Sequence, residues 1–201
     1  MAILREIFYL AAAYLIGSFP TSLIIARLKG IADLTKEGSG NLGATNISRI
    51  IGKKFGLITL TVDAAKGFLP VFFVVRLFPP AHFPNFLYFI IIVPVLGHCW
   101  SIYIKFKGGK GVATGLGVFL AISPKAVLIA LIIFAAILFF SKYVSLASII
   151  SAFFMPFLIF YMLKNIYMAA AAATISLIII YKHSPNIKRL LNGTEHSIKK
   201  R

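Results

Sequence analysis

Residues 7 to 26, IFYLAAAYLIGSFPTSLIIA, run for twenty positions without a single charge. At about 1.5 Å of rise per residue, that is the length an α-helix needs to cross roughly 30 Å of hydrocarbon. The run is longer than the apolar core of a cleavable leader, about 7–15 residues. It therefore predicts a first transmembrane helix over about 3–29, kinked at Gly17 and Pro20. Similar stretches follow at about 55–77, 85–104, 111–123, 125–141, 143–162 and 165–181.

Composition supports this reading. The 201 residues are 60% hydrophobic and 13% charged, with mean hydropathy +0.94, against about 45–50% and 25% for soluble domains. The expected fold is an all-α integral membrane protein forming one domain over 1–201. A net charge of +16 raises nucleic acid as a partner. However, the basic residues sit between apolar runs rather than in one polar domain, which is the pattern of membrane flanks. Cys99 is the single cysteine, so no internal disulfide forms. No cluster of ligating residues calls for a metal, and no cofactor is expected.

The piece VATGLGVFLAISP after residue 111 is short enough to be re-entrant, and residues 111–141 also suit one long helix kinked at Pro124. Charge decides between the topologies. Seven crossings with the N-terminus outside put sixteen Lys and Arg on one face and four on the other, with Lys66 inside a helix. Six crossings split them about 10 to 9 and leave Lys125 in mid-membrane. Cytoplasmic loops collect basic residues, and a charge at the bilayer centre costs at least about 2.5–3.5 kcal/mol. Seven crossings with a cytoplasmic C-terminus follow.

This topology puts three polar segments on the cytoplasmic face. EGSGNLGATN, 37–46, offers backbone flexibility with Ser39, Asn41, Thr45 and Asn46, and Arg49 follows with a guanidinium that grips phosphate in a bidentate fashion. KFKGGKG, 105–111, sets Gly108, Gly109 and Gly111 among Lys107 and Lys110. Successive N–H groups in a glycine turn form an anion-binding nest, and a helix starting near Val112 points its positive end there. The spacing is not that of a Walker loop. HSPNIKRLLNGTE, 183–195, has His183 and Asn186 one helical turn apart, with Glu195 to pair a basic side chain. Elsewhere, Asp63 and Lys66 stand at i, i+3 within an apolar run, the spacing of a structural ion pair. His82 falls in an outer turn, while His98 and Ser101 flank Trp100 where they can support the glycine loop.

Taken together, GSGNLGATN with Arg49, GHCWSIYIKFKGGKGVATG and HSPNIKRLLNGTE resemble the three signature motifs of the bacterial acyl-phosphate-dependent glycerol-3-phosphate acyltransferases. LTVDAAKGFLPV, 60–71, resembles a further segment of that family, so the likeness runs from about residue 14 to 198. Leu42, Trp100–Ser101 and Ser184 depart from common family residues without removing a polar group named above. The resemblance implies seven transmembrane helices in the bacterial inner membrane with a cytoplasmic active site. It also implies transfer of a fatty acyl group from acyl phosphate to the sn-1 hydroxyl of glycerol 3-phosphate, giving lysophosphatidic acid and phosphate.

By the same resemblance Ser39 and Arg49 are essential, and the glycine loop with Lys107 and Lys110 binds glycerol 3-phosphate. His183 and Asn186 support activity, and Glu195 is structural. The partners expected are the two substrates and membrane lipids, and the protein is expected to act as a monomer. No histidine is followed by an acid five positions on, so the His–Asp pair of many other glycerolipid acyltransferases is missing. The general base stays open between His183 and a substrate phosphate, whose second pKa is near 6. A transporter for organic phosphate is the competing class. It is disfavoured because the sequence shows no internal repeat and the anion-binding candidates lie at one surface rather than at the midplane.

Overall fold

A computed structural model describes residues 2–77 and 84–198. His82, its turn, and the terminal Lys199, Lys200 and Arg201 lie outside the described residues. Among those described, the helices are α1 (Ala2–Ser18), α2 (Thr21–Leu28), α3 (Ala44–Ile50), α4 (Lys53–Leu77) and α5 (Pro84–Cys99). They continue as α6 (Val112–Ile122), α7 (Pro124–Ser141), α8 (Val144–Leu163), α9 (Ile166–Lys182) and α10 (Ser184–Leu191). Among the described residues the only departures from α-helix, turn and loop are an isolated antiparallel bridge, Ser101–Lys107, and two single turns of 3-10 helix.

Several boundaries differ from the hydropathy reading. The first apolar run is divided into α1 and α2 at Phe19–Pro20, because Pro20 has no N–H to give the Ile16 carbonyl and Phe19 N–H takes that role at 3.2 Å. The fifth helix stops at Cys99 instead of continuing to 104, since Ser101 is extended. Residues 111–141 form two helices. Ser123 Oγ caps the second by accepting from Ala126 N–H at 3.4 Å, with Pro124 in the first turn. The polar 37–46 segment enters a helix at Ala44, and the polar exit after α9 turns into α10.

Among the described residues four stretches, Ile3–Leu28, Lys53–Leu77, Pro124–Ser141 and Val144–Leu163, are long and apolar enough to cross a membrane. Ile166–Lys182 and Ser184–Leu191 meet that test only as a pair, bent by 55°, the geometry of a broken span or a re-entrant loop. The apolar α5 and α6 are shorter: the 11 residues of α6 rise only about 16 Å.

The chain forms two compact units, residues 1–122 and 123–201. In the first, α4 packs chiefly on α6 and α1 on α5; in the second, α8 packs on both α7 and α9. Lipid tails are as apolar as leucine, so close packing and interhelical hydrogen bonds hold membrane helices together. The buried face of α4 shows this. Thr59, Asp63, Lys66, Gly67, Val71 and Val74 recur every three or four residues along one stripe.

At the α4–α6 contact a Cβ on Gly67 would collide with the Thr114 carbonyl, and one on Gly117 with the Ala64 carbonyl. In the second unit, Ala147, Ala152, Ala171 and Ala172 are buried, and Ser176 Oγ donates to the Ala152 carbonyl at 2.6 Å. Large side chains such as Phe73, Leu128, Phe140 and Phe157 are exposed instead, which suits lipid as solvent. Gly117→Val is expected to force α4 and α6 apart and destabilise the fold by at least about 1–3 kcal/mol. Thermal unfolding in detergent measures this directly.

Candidate active site

The first polar segment is a loop built around one amide. Asn46, on α3 and fully buried, accepts from Ser39 N–H at 2.9 Å and from Ser39 Oγ at 3.2 Å through Oδ1. Its Nδ2 donates to the Glu37 carbonyl at 3.0 Å. The left-handed φ of Gly38 (58°) and Gly40 (69°) lets the chain curl around that side chain. A small apolar cluster of Ala26, Leu34, Leu42 and Ile47 underlies the loop. Ser39 and Asn41 are half-buried, while Thr45 and Arg49 are exposed on α3. Sequence reasoning gave Asn46 to substrate; here both ends of its amide hold the loop that carries Ser39.

The second polar segment leaves α5 through a strained turn. Lys105 and Phe106 have φ of 55° and 58°, a conformation costing a non-glycine residue about 1–2 kcal/mol. Ser101 closes this turn. Its N–H donates to the Lys107 carbonyl at 3.0 Å, and its carbonyl accepts from Phe106 N–H at 2.8 Å. Gly108 and Gly109 are needed here for close approach rather than for positive φ. A Cβ on Gly108 would strike the His98 and Cys99 backbone, and one on Gly109 the His98 ring.

Gly109 N–H donates to the His98 carbonyl at 3.1 Å, so one N–H expected to face a ligand is committed to the protein. Gly111 (φ 83°) then leads into α6, whose N-terminus at Val112 supplies the expected positive end. Lys107 is exposed and Lys110 half-buried on either side of the glycines.

The α1–α2 break touches both segments. Ser22 Oγ donates to the Leu42 carbonyl at 3.2 Å, Ser101 Oγ to the Ser18 carbonyl at 2.5 Å, and Tyr14 Oη to the Trp100 carbonyl at 2.7 Å. Lys66 Nζ donates to Asp63 Oδ1 and to the Phe19 carbonyl, each at 2.5 Å. A cavity of ≈ 20 Å³ opens at this junction, lined by Ser18, Thr21, Asp63, Lys66, His98 and Gly109 among others. It has room for a water or two. The hydroxyls of Ser18 and Thr21 are buried beside it without a hydrogen-bond partner in the protein. The sequence reading treated residues 17–20 only as a kink. The signal available was the run of small polar residues in GSFPTS within an otherwise oily helix.

The second unit holds the third segment. His183 ends α9 and Asn186 lies in α10, both buried. His183 Nδ1 is 2.8 Å from the Ile179 carbonyl. Because a carbonyl only accepts, Nδ1 carries a proton, so in the neutral form of the ring the lone pair is on Nε2. Glu195 gathers three donors: Asn186 Nδ2 at 2.7 Å, Arg189 Nε at 2.8 Å and Ser145 Oγ at 3.0 Å. Among the described residues no group of three or more His, Cys, Asp or Glu is arranged to hold a metal ion.

A family model described as glycerol-3-phosphate acyltransferase matches residues 7–193. The glycerol-3-phosphate acyltransferase of Syntrophotalea carbinolica is 46% identical over 190 residues, covering 94% of this chain and 96% of its own. That of Aquifex aeolicus is 43% identical, covering 96% and 99%. A crystal structure of PlsY (YgiH), an integral membrane glycerol 3-phosphate acyltransferase, in its glycerol 3-phosphate form matches with TM-score 0.92 at 40% identity, over 97% of this chain and 96% of that one. Its lysophosphatidic acid form matches at 0.90. An all-helical chain whose polar segments emerge between apolar helices, with these likenesses along nearly its whole length, is an integral-membrane acyltransferase. It belongs to the glycerol-3-phosphate acyltransferase family.

The Glu195 cluster generates a pH prediction. Burial pushes its carboxyl up, but hydrogen bonds from Asn186, Arg189 and Ser145 and the Arg189 charge outweigh burial, leaving it below its ordinary 4.5. A depressed folded-state value means the stabilisation is complete above about 4.5 and is lost as pH falls through the lower value. Glu195→Gln is therefore expected to melt below the wild type at about pH 7. The two melting curves should converge as the pH falls below that lowered value, as read by thermal unfolding in detergent.

Proposed function

We propose that the protein transfers a fatty acyl group from acyl phosphate to the sn-1 hydroxyl of glycerol 3-phosphate. The products are lysophosphatidic acid, for phospholipid synthesis, and inorganic phosphate. The observation that carries this reading is the fixed glycine segment between Lys107 and Lys110, ending at the N-terminus of α6. Backbone N–H groups, a helix N-terminus and two ammonium groups are what a phosphate monoester requires. Both substrates carry phosphate, and the second phosphate-binding element is the Ser39 loop with Arg49.

An acyl phosphate is an activated mixed anhydride, so positioning and charge stabilisation carry most of the catalysis. The glycerol hydroxyl oxygen bonds to the acyl carbon, and the bond from that carbon to the phosphate oxygen breaks. Phosphate leaves with the electron pair. His183 takes the hydroxyl proton on Nε2, the tautomer that its bond to the Ile179 carbonyl favours. Asn186 and Glu195 keep that region in place.

The same reading makes residues 1–201 one acyltransferase domain with seven crossings, acting as a monomer in the bacterial inner membrane. The N-terminus lies outside and the substrate loops face the cytoplasm. The uneven distribution of Lys and Arg supports that orientation.

Purified protein in lipid, given palmitoyl phosphate, is expected to release phosphate only when glycerol 3-phosphate is present, without acyl-CoA, and Lys110→Ala should lower the rate by about 10²-fold or more. Glycerol 3-phosphate accumulating in sealed vesicles without phosphate release would instead establish a transporter. In His183→Gln, loss of turnover together with the wild-type pH dependence is expected. Retained turnover with an unchanged profile would assign the proton to a substrate phosphate.

A further inference from the structure

We propose that Lys66 is a positioning residue for the glycine loop, acting through the carbonyls at the α1–α2 break. The inference rests on the reading of residues 107–111 as a substrate loop, and it gives the buried Asp63–Lys66 pair a task beyond neutralising itself.

The chain of contacts is continuous. Asp63 and Lys66 are both buried in α4, and a buried ammonium needs acceptors for its three N–H groups. Lys66 Nζ finds one in Asp63 Oδ1 and another outside its own helix, in the Phe19 carbonyl. The Phe19 carbonyl lies past the end of α1, and the neighbouring Ser18 carbonyl accepts from Ser101 Oγ at 2.5 Å. Ser101 in turn closes the strained turn at Lys105 and Phe106 through its own N–H and carbonyl. Two consecutive left-handed non-glycine residues persist only where the surroundings over-determine them.

Ser101 supplies that constraint, and it is anchored on a helix break that Lys66 fixes to α4. Directly after this turn come Lys107, Gly108 and Gly109; a Cβ on Gly108 would strike the His98 and Cys99 backbone, and one on Gly109 would have to displace the His98 ring. A displacement of the break therefore reaches the segment that meets substrate. Lys66 itself needs no contact with substrate to act in this way.

Three variants test the proposal. Asp63→Leu/Lys66→Met removes both buried charges together, leaving no unpaired ion, and breaks only the anchor. Ser101→Ala cuts the next link. Ser101→Ala/Lys105→Gly adds a residue that accepts positive φ without strain. The readouts are steady-state kinetics of phosphate release and amide hydrogen exchange in detergent.

Both anchor variants are expected to raise KM for glycerol 3-phosphate about tenfold, the worth of one lost hydrogen bond, with kcat reduced much less. Amides of 101–109 should exchange faster while those of α4 and α6 stay protected, and Lys105→Gly should recover part of the loss. Folded variants with wild-type KM and unaltered exchange at 101–109 would overturn the proposal, as would a fall in kcat alone. A wild-type protein with no glycerol 3-phosphate-dependent release would remove the substrate reading, but the exchange comparison would still decide whether Lys66 and Ser101 hold this loop.

Discussion

Hydrocarbon offers no partner for an N–H or a carbonyl, and this constraint shapes the rest of the molecule. Among the described residues the long apolar stretches are chiefly helical, because a helix satisfies its backbone internally. Where a helix is interrupted, side chains must take over. The break at Phe19–Pro20 meets this demand with Lys66 and Ser101, which donate to the Phe19 and Ser18 carbonyls. A buried ammonium is tolerable there because Asp63 neutralises it at 2.5 Å.

Helix association meets the same constraint in another way. With lipid on the outside, burying leucine gains little, so glycine, alanine and serine bring helices close alongside buried Ile and Val, and many large aromatic residues, such as Phe73, Phe140 and Phe157, are exposed. Apart from the Asp63–Lys66 pair and a few hydroxyls inside helices, the polar segments lie at helix ends and between helices. The Ser39 loop precedes α3, the glycine loop ends at the start of α6, and His183 stands between α9 and α10. An acyltransferase of this family can thus keep a greasy scaffold and still handle phosphate.

Much of this was legible in the residues alone. Uninterrupted apolar runs placed α4 and α6 to α9 to within a few positions, since burial in lipid leaves few alternatives, but they hid the break between α1 and α2 and the early end of α5. The i, i+3 spacing of Asp63 and Lys66 foretold an ion pair, and the start of α6 after Gly111 followed from glycine giving way to helix formers. Other features were hidden. Nothing local shows that Asn46 turns its amide back onto Ser39, because an exposed and a folded-in asparagine read alike. Gly108 and Gly109 read as an anion-binding turn, and nothing local shows that they also lie against His98, which precedes them by ten positions or more.

The sequence by itself determined the class of fold, the family and the segments that carry polar groups, because these depend on hydropathy and on motifs contiguous in the chain. Tertiary structure alone decided which groups remain for substrate. That Gly109 N–H is spent on His98, that Ser101 anchors a strained turn to Ser18, and that Lys66 reaches Phe19 are all contacts between distant residues. Hydrogen bonds saturate: each donor given to the protein is withdrawn from the site. That accounting is settled only when the helices are packed.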